Sequence, residues 1–496
     1  MTRLAVIGVA VATLSAQSSP PEPQVAFELV QPELFGASGG QPNAWADFDG
    51  DGDLDLFVGF RGRPNRLYRQ TNGRFEDVAA VVGLADAVET RAAAWGDYDA
   101  DGDPDLYVGF ATAQHKAKIY RNDQNGGRFT DVAAELGLAV AGVSRQPAWI
   151  DYDGDGDLDL FAAFRDQANR LFRNDAGRFT EVTQASGVGD TRKTVGGLWW
   201  DFDRDGDLDL FVANQEGDAN GLFRNDHGRF TDVANEYGVS AAGRAADLGG
   251  VGPGLGDFDL DGDFDLFVAN YGPSALYQQG RDLRFADVAR SAGITFEGHA
   301  TTSAVGDLDG DGRPDLYVGA FLAPQPHYRD WLYLNRSSSG TLQFREALPS
   351  ALSTHDASHG VQLADFDGDG ALDLSLANND PTGDHALLRN VTAGAAGRGF
   401  GVVVVDDRGR ATRAGAEVRA FKAGTTEVIA AGLVDSGSGY CSQGAGPVHV
   451  GFPRGVSRID LEVVVALAGK RSTTRVGGID PAKYVHRPLV VRTAPK

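Results

Sequence analysis

Several residue types that commonly mark a function are scarce in this chain. Its 496 residues include one cysteine, Cys441, so no internal disulfide can form. Any cross-linking of an exported fold must come from another source, such as bound metal. Cys441 itself is open to three readings: a small buried residue, a free thiol or an intermolecular link. Basic residues number 45 against 69 acidic ones, for a net charge of −24, and no basic stripe exists, which excludes a nucleic-acid partner. Hydrophobic runs are short, and none reaches the length of a membrane span. Gly-x-Ser-x-Gly, His-Glu-x-x-His and a Gly-rich phosphate loop leading into a helix are all missing, so no common nucleophile, zinc or nucleotide motif stands out.

What the chain has is one pattern seven times over. Asp-x-Asp-x-Asp-Gly-x-x-Asp-Leu returns at steps of 50 to 58 residues, and a fixed period in this range signals a repeat architecture. The positions that would surround a cation are the first, third, fifth, seventh and ninth. They are Asp47, Asp49, Asp51, Asp53 and Asp55 in the first loop, and Asp97, Asp99, Asp101, Asp103 and Asp105 in the second. The third and fourth loops have Asp151, Asp153, Asp155, Asp157 and Asp159, then Asp201, Asp203, Asp205, Asp207 and Asp209. The fifth has Asp257, Asp259, Asp261, Asp263 and Asp265. The last two have Asp307, Asp309, Asp311, Arg313 and Asp315, then Asp365, Asp367, Asp369, Ala371 and Asp373.

Carboxylates at positions one, three and five of a tight loop converge on one point, and the Gly at position six permits the turn. A ninth-position Asp can close the cage with two oxygens. Such oxygen-only, flexible coordination is what calcium prefers over magnesium, and it is akin to the first half of an EF-hand loop. Because Arg313 and Ala371 stand at position seven in two copies, the ligand there is read as a backbone carbonyl. The alternative is a set of Asx-turns without metal, but four carboxylates so close repel strongly unless a cation joins them. About seven calcium sites are expected, and the protein's acidity is then mostly a metal inventory.

The intervening sequence is regular too. A bulky residue precedes each loop by two places: Trp45, Trp95, Trp149, Trp199, Leu255, Val305 and Leu363. An apolar run follows each loop, then a strand such as Leu171-Phe172-Arg173-Asn174, then one containing Phe75, Phe129, Phe179, Phe230, Phe285 or Phe344. Four short strands per repeat with Gly-rich turns describe a propeller blade. The seventh repeat lacks its last strand, while a spare Phe27-Glu28-Leu29-Val30 lies upstream. The reading is therefore an all-β, seven-bladed β-propeller over residues 24–394, with strand 25–30 closing the last blade. Residues 395–496 lack acidic loops and read as a small β-rich, sandwich-like domain.

At the N-terminus, Arg3, the apolar run Leu4–Leu14 and the small residues Ser15-Ala16 fit a signal peptide over 1–18, followed by a short linker. The expected location is secreted, extracellular or periplasmic, where calcium is abundant.

The acidic loops, with their Phe-Thr-Asp-Val and Leu-Phe-Arg-Asn strands, resemble FG-GAP/VCBS repeats, the blades of integrin α-chain propellers. The tail, with Ser436-Gly437-Ser438-Gly439-Tyr440-Cys441-Ser442-Gln443, resembles the ASPIC/UnbV domain, and the pairing resembles the cartilage acidic protein family. Cys441 departs from the aliphatic residue more usual there, and a final Trp-Pro-Ser-Gly-like strand is missing. The resemblance implies a secreted calcium-binding propeller with calcium opposite its ligand face.

Five cationic residues lie six to eight places before a loop: Arg91, Arg145, Lys193, His299 and His359. Equivalent positions in a closed ring converge at one channel mouth, where they would receive a uronate, sulfate or carboxylate. They also read as solvated strand starts. His355, His359 and His299 offer a weaker transition-metal reading. Use of the glycosylation triplets at Asn335 and Asn390 depends on the source of the protein. Two functions remain. The first is a binding or adhesion module for an extracellular protein or anionic glycan, with no catalytic residue. The alternative is a lyase-type, polysaccharide-processing enzyme with its site at the channel mouth.

Overall fold

The computed structural model describes residues 24–123, 125–320, 329–338, 340–352, 358–380 and 383–493. The expected signal segment and linker, and His355, lie outside these residues.

Twenty-eight strands form seven four-stranded antiparallel sheets. The first contains Gly40–Ala46, Asp55–Phe60, Arg66–Thr71 and Arg74–Asp77, in that order from the inside outward. The other innermost strands are Thr90–Gly96, Ser144–Ile150, Thr194–Trp200, Gly249–Gly256, Glu297–Gly306 and Ser358–Ala364. Each packs against the next, and Ser358–Ala364 packs against Gly40–Ala46, so the sheets close into a ring. Second strands such as Asp55–Phe60 and Asp209–Asn214 are buried throughout, between neighbouring sheets. Burial on both faces is why they are near-continuous apolar runs rather than alternating ones.

The seventh sheet takes its outer strand from the other end of the chain. Phe27–Leu29 pairs antiparallel with Ala386–Asn390, with Phe27 opposite Asn390. The other six sheets pair the same positions, as in Asn174 with Phe179 and Asn225 with Phe230. Sheets five and six are further joined where Asp265–Pro273 runs on to pair with Glu297–Gly306 through Tyr271 and His299.

Residues 399–492 form two more sheets. One has Gly399–Val405 between Val448–Gly451 and Leu489–Arg492, and the other runs Val428–Leu433, Glu417–Lys422, Ile459–Ala466, Arg471–Ile479. Phe400, Val402, Val418, Leu461 and Val463 fill the core between them.

The sequence reading leaves the channel of the ring open, but the structure fills it. Residues 435–446 of this second unit thread into the channel, where Ser442 and Gln443 pair in parallel with Ala93 and Ala94. The segment also bonds to the backbone of other inner strands. Gln443 Oε1 accepts from Trp149 N and its Nε2 donates to Trp149 O. Ser436 Oγ donates to Trp199 O, and Ala445 N donates to Trp45 O. An inner strand has a free edge whose amides and carbonyls need partners, and this segment supplies them. Gly437, at φ 136°, lies so close that a Cβ would stand 2.3 Å from Gly197 O, so no side chain fits there.

Candidate metal centres and the channel mouth

Each acidic loop joins the first strand of its sheet to the second. Gly52 and Gly102 turn it at φ 96° and 101° with nothing crowding them, so the glycines are there for their backbone angle. The amide at position six then donates to the first Asp, as from Gly52 to Asp47 at 3.0 Å and from Gly312 to Asp307 at 2.8 Å. The amide at position seven donates to the fifth-position carboxylate, from Asp53 to Asp51 and Ala371 to Asp369 among others.

Oxygens of Asp47, Asp49 and Asp55 lie within 4.8 Å of one another, as do those of Asp151, Asp153 and Asp159, and of Asp201, Asp203 and Asp209. Asp97, Asp99 and Asp101, and Asp257, Asp259 and Asp261, group likewise. Burial, with repulsion from the neighbouring carboxylates, pushes Asp97 up to about 6, Asp257 and Asp365 to about 7 and Asp307 to about 8. Buried Oδ1 atoms of Asp47, Asp49, Asp151 and Asp365 have no hydrogen-bond partner. Orphaned, crowded carboxylate oxygens are the donor set a calcium ion takes, so the residues fit that ion.

The ninth Asp has a second duty. Asp55 accepts from Phe48 N in its own loop and Gln70 N on the third strand, and burial pushes it to about 8. Asp105, Asp159, Asp209, Asp315 and Asp373 repeat this pair of bonds. With one amide on each oxygen, this residue anchors the loop to the sheet. Seventh-position side chains have another use: Asp53, Asp103, Asp157 and Asp207 each accept from a hairpin amide between the third and fourth strands. This is why Arg313 and Ala371 can stand there.

The sixth loop differs from the rest. Arg336 donates to Asp309 at 2.8 Å and Asp311 at 3.3 Å, and Arg313 also pairs with Asp311. Loops three and four meet the C-terminal unit, where Arg413 lies 3.4 Å from Asp151 and Arg471 lies 3.3 Å from Asp201.

Sequence reasoning missed one set of residues. The side-chain amide closing each third strand donates to a carbonyl in the preceding sheet's acidic loop. Asn122 reaches Phe48 O, Asn174 reaches Tyr98 O, Asn225 reaches Tyr152 O and Gln279 reaches Phe202 O. Asn335 reaches Phe258 O, Asn390 reaches Leu308 O and Gln70 reaches Phe366 O. The signal was an amide recurring at one place in every repeat. Both Asn335 and Asn390 are buried with their amides in these bonds, which removes them as glycan acceptors in this fold.

A cavity of about 730 Å³ lies between the acidic-loop face and the C-terminal unit. Leu255, Val305 and Leu363 line it, the three positions where the bulky residue before the loop is aliphatic instead of Trp.

At the other end of the channel, the five cationic residues do not form one ring. Arg91, Arg145 and His359 fall on the bulge of their inner strands, six places before the loop. Lys193 and His299 lie two places earlier, because equivalence is counted from the bulge. Arg91 donates to Glu89 at 2.9 Å and to Tyr440 Oη at 3.2 Å, and His359 packs edge-on against Tyr440 at 4.4 Å. Lys193 pairs with Glu216, and His299 stacks on Tyr271 at 4.5 Å. Burial, with Arg91, Arg145 and Arg61 nearby, pushes His359 well below its ordinary value. A cationic setting of this kind disfavours the transition-metal reading for His359. Cys441 is buried beside Val195 O, and burial pushes its thiol up to about 12.

Cartilage acidic protein 1 of Homo sapiens is 32% identical over 149 residues, covering 30% of this chain and 21% of that protein. The Xenopus tropicalis protein of the same name is 26% identical over 260 residues, covering 48% and 37%. The matched stretch thus spans well under half the length of these relatives. Among solved structures, BBS1N in its complex with ARL6DN aligns with a TM-score of 0.46 at 10% identity, over 74% of this chain and 97% of that one. The FG-GAP-like repeat matches residues 47–108, 110–162, 151–212, 201–266 and 257–318, more than half of the chain. By these repeats the protein belongs to the FG-GAP-like repeat family, and it resembles cartilage acidic protein 1.

Proposed function

We propose that this protein is a calcium-stiffened β-propeller that serves as an extracellular binding module for a protein or anionic glycan. The observation that carries the reading is the repeated group of buried carboxylates with oxygens lacking hydrogen-bond partners. When bound, calcium supplies positive charge that relieves this repulsion and ties each loop together. The chain's own residues do the rest: the ninth Asp anchors the loop, and the Asn or Gln beside it fastens one sheet to the next. Two relatives named for cartilage support an extracellular setting.

In the same reading, residues 1–18 are a signal peptide. Residues 24–394 are the propeller domain and 395–496 a second domain of ASPIC/UnbV type. The experiment is a screen of the full chain on glycan and protein arrays, with calcium and with chelator. Calcium-dependent capture of an extracellular ligand is expected; an array silent in both conditions would overturn the reading.

A further inference from the structure

Arg145 is 6% exposed, and among the described residues it forms no ion pair. Its Nη1 donates to Ser144 O at 2.7 Å, while its buried Nε has no acceptor. A guanidinium keeps its charge in a protein, and a buried charge without a counter-charge is costly. Glu89, Glu216 and Asp166, on the segments that flank these inner strands, have other partners. Glu89 holds Arg91 and Gln41, Glu216 holds Arg165 and Lys193, and Asp166 accepts from Val143 N. Burial, together with the charges of Arg91, Arg145 and Arg61, pushes His359 well below its ordinary value.

Tyr440, carried in by the C-terminal segment, stands among these groups. Its hydroxyl meets Arg91 and its ring meets His359. Half-buried Tyr271 packs against the cluster that contains Tyr440 and stacks on His299, so an aromatic pair stands beside the cationic group.

We propose that this end of the channel is an oxyanion site for the carboxylate of an acidic sugar, built by Arg145, Arg91 and Tyr440 together. The planar fork of Arg145 matches a carboxylate. The stacked Tyr271–His299 pair places aromatic surface beside the cluster, against which a sugar ring can pack. A single buried guanidinium without a carboxylate calls for one such group, which favours a uronate over a multiply charged acidic peptide. The ring and the C-terminal segment must both be present, so the site belongs to neither alone. The proposal rests on the reading of the protein as a binding module.

The test is calorimetric titration of the full chain, in calcium, with tetragalacturonate, neutral maltotetraose and tetraglutamate. Tetragalacturonate is expected to bind in clear preference to the other two. Arg145→Met should weaken it about ten- to hundredfold, the effect of losing a charged hydrogen bond. Its melting temperature should not fall, because the lost charge had no carboxylate partner. Tyr440→Phe keeps the ring in place and should also weaken binding. If Arg145→Met does not fold, Arg145→Lys keeps the charge and loses the fork, and should still weaken binding. The proposal is overturned by no response to tetragalacturonate, by affinity unchanged in these variants, or by tetraglutamate binding as tightly. A hit on the arrays with no uronate response would sink this site alone, whereas silent arrays would sink the broader reading.

Discussion

Gln70, on the third strand of the first sheet, donates its side-chain amide to the carbonyl of Phe366 in the seventh acidic loop, 3.0 Å away. The same residue's backbone amide donates to Asp55 at 2.8 Å. One side chain therefore joins the two ends of the ring, and its backbone joins the first loop to its sheet. Residues of this kind tie each acidic loop to its own sheet and to the sheet before it in all seven sheets.

Gln70→Leu should cost about 1–3 kcal/mol, since Phe366 O is left buried without this donor. In a chain of this size that amounts to a drop of a few degrees in melting temperature. Unchanged melting would mean that the bond contributes nothing to closure.

Calcium should determine both stability and its pH dependence. Each site filled at a hundredfold excess over Kd adds about 2.7 kcal/mol, so chelation should lower the melting temperature steeply. Without the ion, burial raises Asp151, Asp201, Asp257 and Asp365 from 3.8 to about 7, so the folded state holds those protons more tightly than the unfolded one. Their contribution is complete below about pH 4 and is lost as the pH rises through about 7. Calcium binds the deprotonated carboxylates, so its stabilisation grows over the same range. Melting curves from pH 5 to 8 should therefore slope in opposite directions in chelator and in calcium. Parallel slopes would refute the metal reading.

Deleting residues 24–30 should damage the seventh sheet. Phe27, Glu28 and Leu29 would no longer cover Leu388–Asn390, and Val30 N would no longer meet Leu387 O. The exposed edge should cause aggregation or a less cooperative transition, read by light scattering and calorimetry. A soluble truncation that melts like the full chain would show that closure does not depend on this strand.

Arg336 bridges two carboxylates of the sixth loop and offsets one of their charges. Arg336→Ala should therefore add about one calcium ion to the stoichiometry, or tighten the weakest site, in a calcium titration. Identical isotherms would show that the guanidinium does not compete with the ion.

The arrangement of the sheets was legible in the sequence because each repeat carries its own local instructions. The Gly at position six needs a positive φ, the second strand is apolar throughout, and Phe27 lay where a missing partner for Asn390 was needed. These are short-range constraints repeated seven times, and repetition makes their period visible. The grouping of the channel-mouth cations was only partly legible, because a bulge shifts Lys193 and His299 two places from Arg91, Arg145 and His359. The filling of the channel could not be read at all. Ser436 to Gln443 is one short Gly-rich segment, and its partners Trp149, Trp199, Gln362 and Ala93 are scattered over some 270 residues of sequence. Only closure of the ring brings their free backbone and side-chain groups to a common axis, so what fills the channel was decided by the tertiary structure.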